Sequence, residues 1–199
     1  MMTYELITAL IAFAFVSSIT PGPNNLMLLA SGINFGLARS LPHMFGVGFG
    51  FTAMIVLVGF GLAQIFDAFP ISYTILKIFS IGYLSYLAWK IATTSSFQNK
   101  NHNKSTPMSF FQAALFQWVN PKAWMMSVTA ISAYTIQNGD WYNILIVAAI
   151  FGAINLPSIS AWTILGTQLK RFLNNPMKLK IFNITAALLL MASLYPTIF

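Results

Sequence analysis

The 199-residue chain has no cysteine. Disulfides, thiol redox relays and cysteine-based metal sites are therefore excluded together. Its two histidines, His43 and His102, have no acid near them in sequence, so neither a zinc nor a di-iron site is expected. Acids are nearly as scarce: Glu5, Asp67 and Asp140 stand against ten lysines and arginines. Charged residues make up 7% of the chain, whereas a soluble domain carries about 25%, so water could not solvate such a surface. A soluble enzyme is excluded on that ground, and no cofactor is implied. What the chain has instead is 57% hydrophobic residues and a mean hydropathy of +0.73, the composition of a helical membrane protein. A pI near 9.8 would suggest nucleic acid as the partner of a soluble protein. Here the cations lie between apolar segments, where they orient the chain and meet anionic lipid, so nucleic acid is not expected.

A crossing helix needs about 20 apolar residues. Apolar segments fall near 6–35, 42–65, 71–89, 109–136, 142–167 and 181–198. Met1-Met2-Thr3-Tyr4-Glu5 lacks the cationic start of a signal peptide, so the first segment is expected to be a retained span. Segments one and four are longer than a single crossing and carry proline and asparagine inside, so each reads as a broken helix. The expected fold is an all-α integral membrane protein of six transmembrane helices, with helices 1 and 4 broken by Pro motifs. A single polytopic domain covers 1–199: a first repeat of about 1–92, a cytoplasmic linker of about 93–108 and a second repeat of about 109–199.

Arg39, Lys90, Lys100, Lys104, Lys170, Arg171, Lys178 and Lys180 fall in loops one, three and five, against Lys77 near the other face, while the acids fall at the N-terminus and in loops two and four. The positive-inside rule then makes the odd loops cytoplasmic and leaves both termini on the outer, periplasmic side of the inner membrane. Three spans per half is an odd number, so a duplication must be inverted in the membrane. A faint echo agrees with one. Leu76-Lys77-Ile78-Phe79-Ser80-Ile81 opens span three, and Leu179-Lys180-Ile181-Phe182-Asn183-Ile184 opens span six.

Thr20-Pro21-Gly22-Pro23-Asn24-Asn25 is the most unusual string in the chain. Its prolines remove backbone donors and prevent a continuous helix. The carbonyls freed upstream and the donors of the next half-helix must find partners, which is tolerated only where they are buried or line a wet cavity. Asn24 and Asn25 open the following half-helix, where they can cap donors or face a solute, and its positive end suits a carboxylate. Span four repeats the device in Gln117-Trp118-Val119-Asn120-Pro121-Lys122. Lys122 sits well inside a span with no acid to pair with; it can ligate freed carbonyls, snorkel to an interface, or meet a substrate carboxylate. Freed carbonyls near Thr20 and Val119 are candidate acceptors for an ammonium group. Gly46, Gly48, Gly50, Gly59 and Gly61 give span two a small-residue face for close helix packing. Asn155, beside Pro157 in span five, either lines the pathway or makes an interhelical hydrogen bond. His43 reads as an interfacial, solvated histidine, with a proton relay as the alternative, and His102 as a solvated residue of the linker.

These residues resemble the LysE/RhtB family of amino-acid exporters over nearly the whole chain. The resemblance rests on Thr20-Pro21-Gly22-Pro23-Asn24-Asn25, on Gly46-x-Gly48-x-Gly50-Phe51, on Tyr83-Leu84-x-Tyr86-Leu87-Ala88-Trp89-Lys90 and on Asn120-Pro121-Lys122. Leu87-Ala88-Trp89-Lys90-Ile91-Ala92-Thr93 and Val128-Thr129-Ala130 look most like the cysteine and O-acetylserine exporter subgroup. The resemblance implies an inner-membrane carrier, not an enzyme, that expels small amino acids using the proton motive force. It carries substrate-binding roles onto Pro21, Gly22, Pro23, Asn24 and Asn25, and onto Asn120, Pro121 and Lys122; Thr20 and Asn155 join them as flanking and lining residues. Many exporters of basic amino acids in this family have an acid beside the span-two glycines, where this chain reads Gly50-Phe51-Thr52. A neutral zwitterion of the cysteine, O-acetylserine, threonine or homoserine type is the expected solute. The alternative is a passive channel or facilitator for small polar solutes. An amino acid and membrane lipid are the expected partners, and assembly with copies of itself is left open.

Overall fold

Thr3 begins the first helix by accepting a hydrogen bond from the Leu6 N–H on its hydroxyl, a standard N-cap, and Glu5 follows in the first turn. This computed structural model describes residues 2–93, 106–135, 141–173 and 175–195, without the side chain of Asp67. Nearly all of the expected linker, with Lys100, His102 and Lys104, lies outside the described residues, as does Asn138-Gly139-Asp140.

The described residues form helices and no strand. Helix α1 (Tyr4–Ile19) stops where Thr20 becomes extended ahead of Pro21, and α2 (Pro23–Phe35) restarts with proline at its first position, where a missing N–H costs nothing. The two meet at a bend of 52°. Gly36, at φ 80°, ends α2 and leads directly into α3 (Leu37–Leu57). That helix starts ahead of the apolar segment and continues through Pro42. It loosens into a π-helical turn at Val58–Leu62, which Gly61 terminates at φ 103°. A short α4 (Gln64–Ala68) precedes α5 (Ile71–Ala92). Ser109 and Gln112 form a capping box that opens α6 (Phe110–Phe116). A 3-10 turn at Gln117–Val119 leads to Asn120, which caps α7 (Pro121–Tyr134). Helix α8 (Trp141–Leu169) runs unbroken through Pro157, and α9 (Pro176–Ala192) begins with Asn175 as cap.

By length and composition α3 with its π turn, α5 and α8 are each able to cross a membrane, and the bent pair α1–α2 makes a fourth crossing if taken as one span. Large apolar side chains such as Phe15, Phe49, Ile78, Phe111 and Leu188 are more than half exposed on the exterior, as expected for a surface that faces lipid.

Four apolar clusters lie along the bundle, and two of them pack against α3 and α8. One gathers Leu10 and Ala14 of α1, Phe51 and Met54 of α3, Ala123 and Met126 of α7, and Val147 and Phe151 of α8. The other gathers Leu28 of α2, Met44 and Val47 of α3, Ala113 of α6 and Ile159 of α8. Glycines set how closely the helices approach. A Cβ on Gly46 would lie 2.3 Å from the Phe110 carbonyl, and one on Gly50 would lie 2.6 Å from the Ala114 Cα, so α3 and α6 touch backbone to backbone as the small-residue face predicts. Gly32 and Gly166 do the same for α2 and α8. Gly61 serves a different end from its neighbours in sequence, because it is there for its backbone angle. In the echoed strings, Ser80 of α5 and Asn183 of α9 occupy matching positions, and both are buried.

Candidate functional site

A helix that ends inside a bundle leaves its last carbonyls without intrahelical donors, so each must be accounted for. At the end of α1 every one is met. The Val16 carbonyl accepts the Thr20 N–H at 3.2 Å, and the Ser17 carbonyl accepts the Thr20 hydroxyl at 3.1 Å. The Ser18 carbonyl accepts from Asn25 Nδ2 at 2.8 Å, and the Ile19 carbonyl accepts from Trp162 Nε1 of α8 at 3.0 Å. The Thr20 carbonyl accepts twice, from Asn25 Nδ2 at 2.7 Å and from Lys122 Nζ of α7 at 2.7 Å. Lys122 Nζ also donates to the Thr20 hydroxyl at 2.9 Å and to the Pro21 carbonyl at 3.4 Å. Of the roles open to Lys122, ligation of the freed carbonyls is the one occupied here.

Asn25 thus serves acceptors behind it instead of capping the donors of its own helix. Asn24 reaches the other broken segment. Its Nδ2 donates to Gln117 Oε1 at 2.8 Å, and Gln117 Nε2 donates back to Asn24 Oδ1 at 3.1 Å and to the Ala113 carbonyl at 2.9 Å. Gln117 is fully buried. Gly22 is the counterpart that makes room: a Cβ there would stand 2.6 Å from Lys122 Cδ.

The two half-helix starts differ. At α7, Asn120 Oδ1 accepts the Lys122 N–H at 3.2 Å, so the first turn is capped. At α2 the cap position is Gly22, and no side chain covers the first turn. That start borders a cavity of about 20 Å³, the size of a single water, walled by Ser18, Gly22, Asn24, Asn25, Asn120, Lys122 and Asn155. Asn155 donates to the Ser18 hydroxyl at 3.3 Å, while its buried Oδ1 has no partner among the described residues. Six of the ten candidates therefore line one cavity. Thr20 and Pro21 stand beside it as acceptors for Lys122, and Pro23 and Pro121 set the two helix starts.

Gln117 and Trp162 complete this arrangement and are not among the residues singled out from the sequence. The sequence carries a weak signal for Gln117, a polar residue three positions before Asn120, and none for Trp162. His43 departs from its expected role as a solvated residue: it is 2% exposed, inside the fold. A larger cavity, of about 460 Å³, opens between α5 and α7 and reaches Pro121 and Trp124. No group of His, Cys, Asp or Glu among the described residues is placed to hold a metal.

Comparison with known proteins identifies a family. The family model described as "LysE type translocator" matches residues 15–193. A protein of Escherichia coli named "Cysteine/O-acetylserine efflux protein" is 33% identical over 138 residues, 68% of each chain. One of the same name from Shigella sonnei is 32% identical over the same share. No solved structure matches.

Proposed function

The chain belongs to the LysE family of translocators, and from that premise we propose that it is a secondary carrier exporting small neutral amino acids of the cysteine, O-acetylserine, threonine or homoserine type across the inner membrane. The observation that carries this reading is the meeting of two helix breaks, with Lys122 of one ligating the carbonyls of the other. A membrane carrier with its site at such discontinuous helices can present an uncovered helix start to a carboxylate and unwound backbone to a cation.

The proposed site comprises Thr20, Pro21, Gly22, Pro23, Asn24, Asn25, Asn120, Pro121, Lys122 and Asn155. The uncapped start of α2 receives the carboxylate, where backbone donors and the helix dipole favour an anion. The Thr20 carbonyl is already engaged twice, so the ammonium is assigned instead to Asn155 Oδ1, buried beside the same cavity. At about 20 Å³ the cavity is too small for an amino acid, so the site in this conformation is closed and must widen to load. A plugged break favours a carrier over an open passive channel.

The six-span, inverted-repeat arrangement is part of the proposal. Exchanging α1 with α6, α2 with α7 and α3 with α8 converts the helix set of one of the four core clusters into that of a second, which supports such a repeat. The repeats are proposed as about 1–92 and 109–199, with both termini periplasmic. Rocking one repeat against the other would open the α5–α7 cavity to the site in turn. The test is release of labelled amino acids from loaded proteoliposomes. Cysteine or O-acetylserine should leave faster than from protein-free vesicles, be accelerated by unlabelled solute on the far side, and slow when the proton gradient is dissipated. Release no faster than from empty vesicles for every amino acid tried would overturn the reading.

A further inference from the structure

The cavity between α5 and α7 holds about 460 Å³, against about 20 Å³ at the helix breaks. It is a groove open along one side, because three of its wall residues are also exterior ones. Tyr73 is 59% exposed, Met125 60% and Val128 39%. The same exterior carries exposed Phe15, Ile78 and Leu188 on helices able to cross a membrane, so the groove opens onto lipid tails. Phe66 of α4 joins its two walls. The ring meets Tyr73 of α5 at 6.2 Å and Trp124 of α7 at 4.9 Å, both edge to face.

The α5 wall extends from Tyr73 to Ser80, roughly 10 Å at 1.5 Å per residue, and the α7 wall from Pro121 to Thr129, roughly 12 Å. One leaflet of hydrocarbon is about 15 Å deep, half of the whole layer, so the groove fits within a single leaflet. Tyr73 and Lys77, one turn apart, stand toward the loop-two end of α5, and side chains of both types reach for head groups from such positions. Leu76, Trp124, Met125 and Val128 line the groove with carbon, and the indole N–H of Trp124 is already given to the Trp118 carbonyl at 2.9 Å. Ser80 adds no partner for a polar solute, since its hydroxyl oxygen is buried out of reach. Such walls offer a zwitterion little to replace its water, whereas a hydrocarbon tail gains from each methylene it buries.

We infer that the groove is a phospholipid site, in which one acyl chain lies between α5 and α7 with its end against Pro121 and Trp124 and its head group at the level of Tyr73. The tail packs on carbon and needs no free donor from the protein. Its contact with Pro121 and Trp124 sets it against the first turn of α7, the helix that carries Lys122. The site belongs to the closed conformation, and only its part in the transport cycle rests on the export reading. In that cycle the tail fills the groove while the breaks are closed and leaves through the exposed side when the repeats rock.

Protein purified in mild detergent and stripped of loosely held lipid should retain one phospholipid per chain in native mass spectrometry. Filling the groove from either side should remove it. Val128→Trp on α7 and Ala63→Phe at the start of α4 should each lower the occupied fraction about tenfold at an unchanged Tm. Ile78→Trp, on the exposed face of α5 outside the groove, should retain the lipid. Bromine on a lipid tail quenches an indole that it touches, so the fluorescence lost on adding a brominated phospholipid should be smaller in Trp124→Phe. A wild-type chain that holds no lipid, equal retention by both filled variants, or the same fluorescence loss in Trp124→Phe would overturn the site. A mass of two chains in place of the lipid, lost in Val128→Trp, would give the groove to a second copy of the protein and overturn the lipid assignment. Lipid held in this way by protein that exports no amino acid would leave the site and overturn the export reading.

Discussion

Asn24 and Gln117 exchange two hydrogen bonds, amide to amide, at 2.8 and 3.1 Å, and so join the two broken segments across 93 positions of sequence. A paired amide leaves neither group unmet in a setting where water is not at hand. Removing both members should therefore cost less than the two separate losses together.

Gln117→Leu should leave the Asn24 amide without its partner and reduce export about tenfold, while the amount of protein in the membrane stays near wild type. The double variant Asn24→Leu with Gln117→Leu should lose less than the sum of the two single losses, because the orphaned amide has gone. Initial efflux rates from proteoliposomes, normalised to protein, check this. Additive losses would show that the pair is not coupled.

Gly22→Ala should act through Lys122. The added Cβ falls 2.6 Å from Lys122 Cδ and 3.2 Å from Nζ, and a flexible side chain yields before backbone does. The ammonium should then leave the Thr20 carbonyl, so Gly22→Ala and Lys122→Ala should depress export to a similar level. Combining them should cost little more than either alone. Equal stability of all three in detergent would separate this from misfolding.

Gly32→Ala should lower thermal stability. Its Cβ would lie 2.2 Å from the Thr163 carbonyl, backbone against backbone, so α2 and α8 must part, at a cost of about 1–3 kcal/mol or more. Gly82→Ala is the control. Nothing lies within 4 Å of its Cβ, and alanine improves helix propensity, so Tm should hold or rise. A melt that treats the two alike would contradict the close approach of α2 and α8.

The absence of native thiols makes orientation testable with single cysteines. Ile71 and Phe172 are both well exposed, beside loops two and five. In intact cells a membrane-impermeant thiol reagent should modify Ile71→Cys but reach Phe172→Cys only after permeabilisation. The reverse pattern would invert the proposed topology.

How much of this was legible in the sequence follows from range. The break at Thr20–Pro23 is legible because two prolines flanking a glycine withhold backbone donors within three residues, whereas Pro42 and Pro157 each stand alone and are carried inside a helix. The α3 glycines were legible for a similar reason, since their spacing alone makes a small face. The partners of the freed carbonyls were not. Trp162 reaches Ile19 from 143 positions away, and Lys122 reaches Thr20 from 102, so only the packed bundle determines which donor meets which acceptor. The burial of His43 is not legible, because a lone polar residue near a helix end has the same pattern whether it faces lipid headgroups or the neighbouring helices. The start of α3 at Leu37 is equally silent in the sequence. Gly36 ends one helix and begins the next with no polar loop to announce it.

The ammonium of Lys122, resting on two oxygens of Thr20 and the carbonyl of Pro21, has a consequence for energetics. Carriers with unwound helices of this kind commonly coordinate sodium on such oxygens and draw on its gradient. Here the cation is covalently part of the chain. It cannot dissociate into either compartment, so it carries no alkali-ion gradient, and a free alkali ion finds those oxygens already held. The helix break is in effect permanently loaded with its own cation, and replacing sodium by choline on both sides should leave export unchanged.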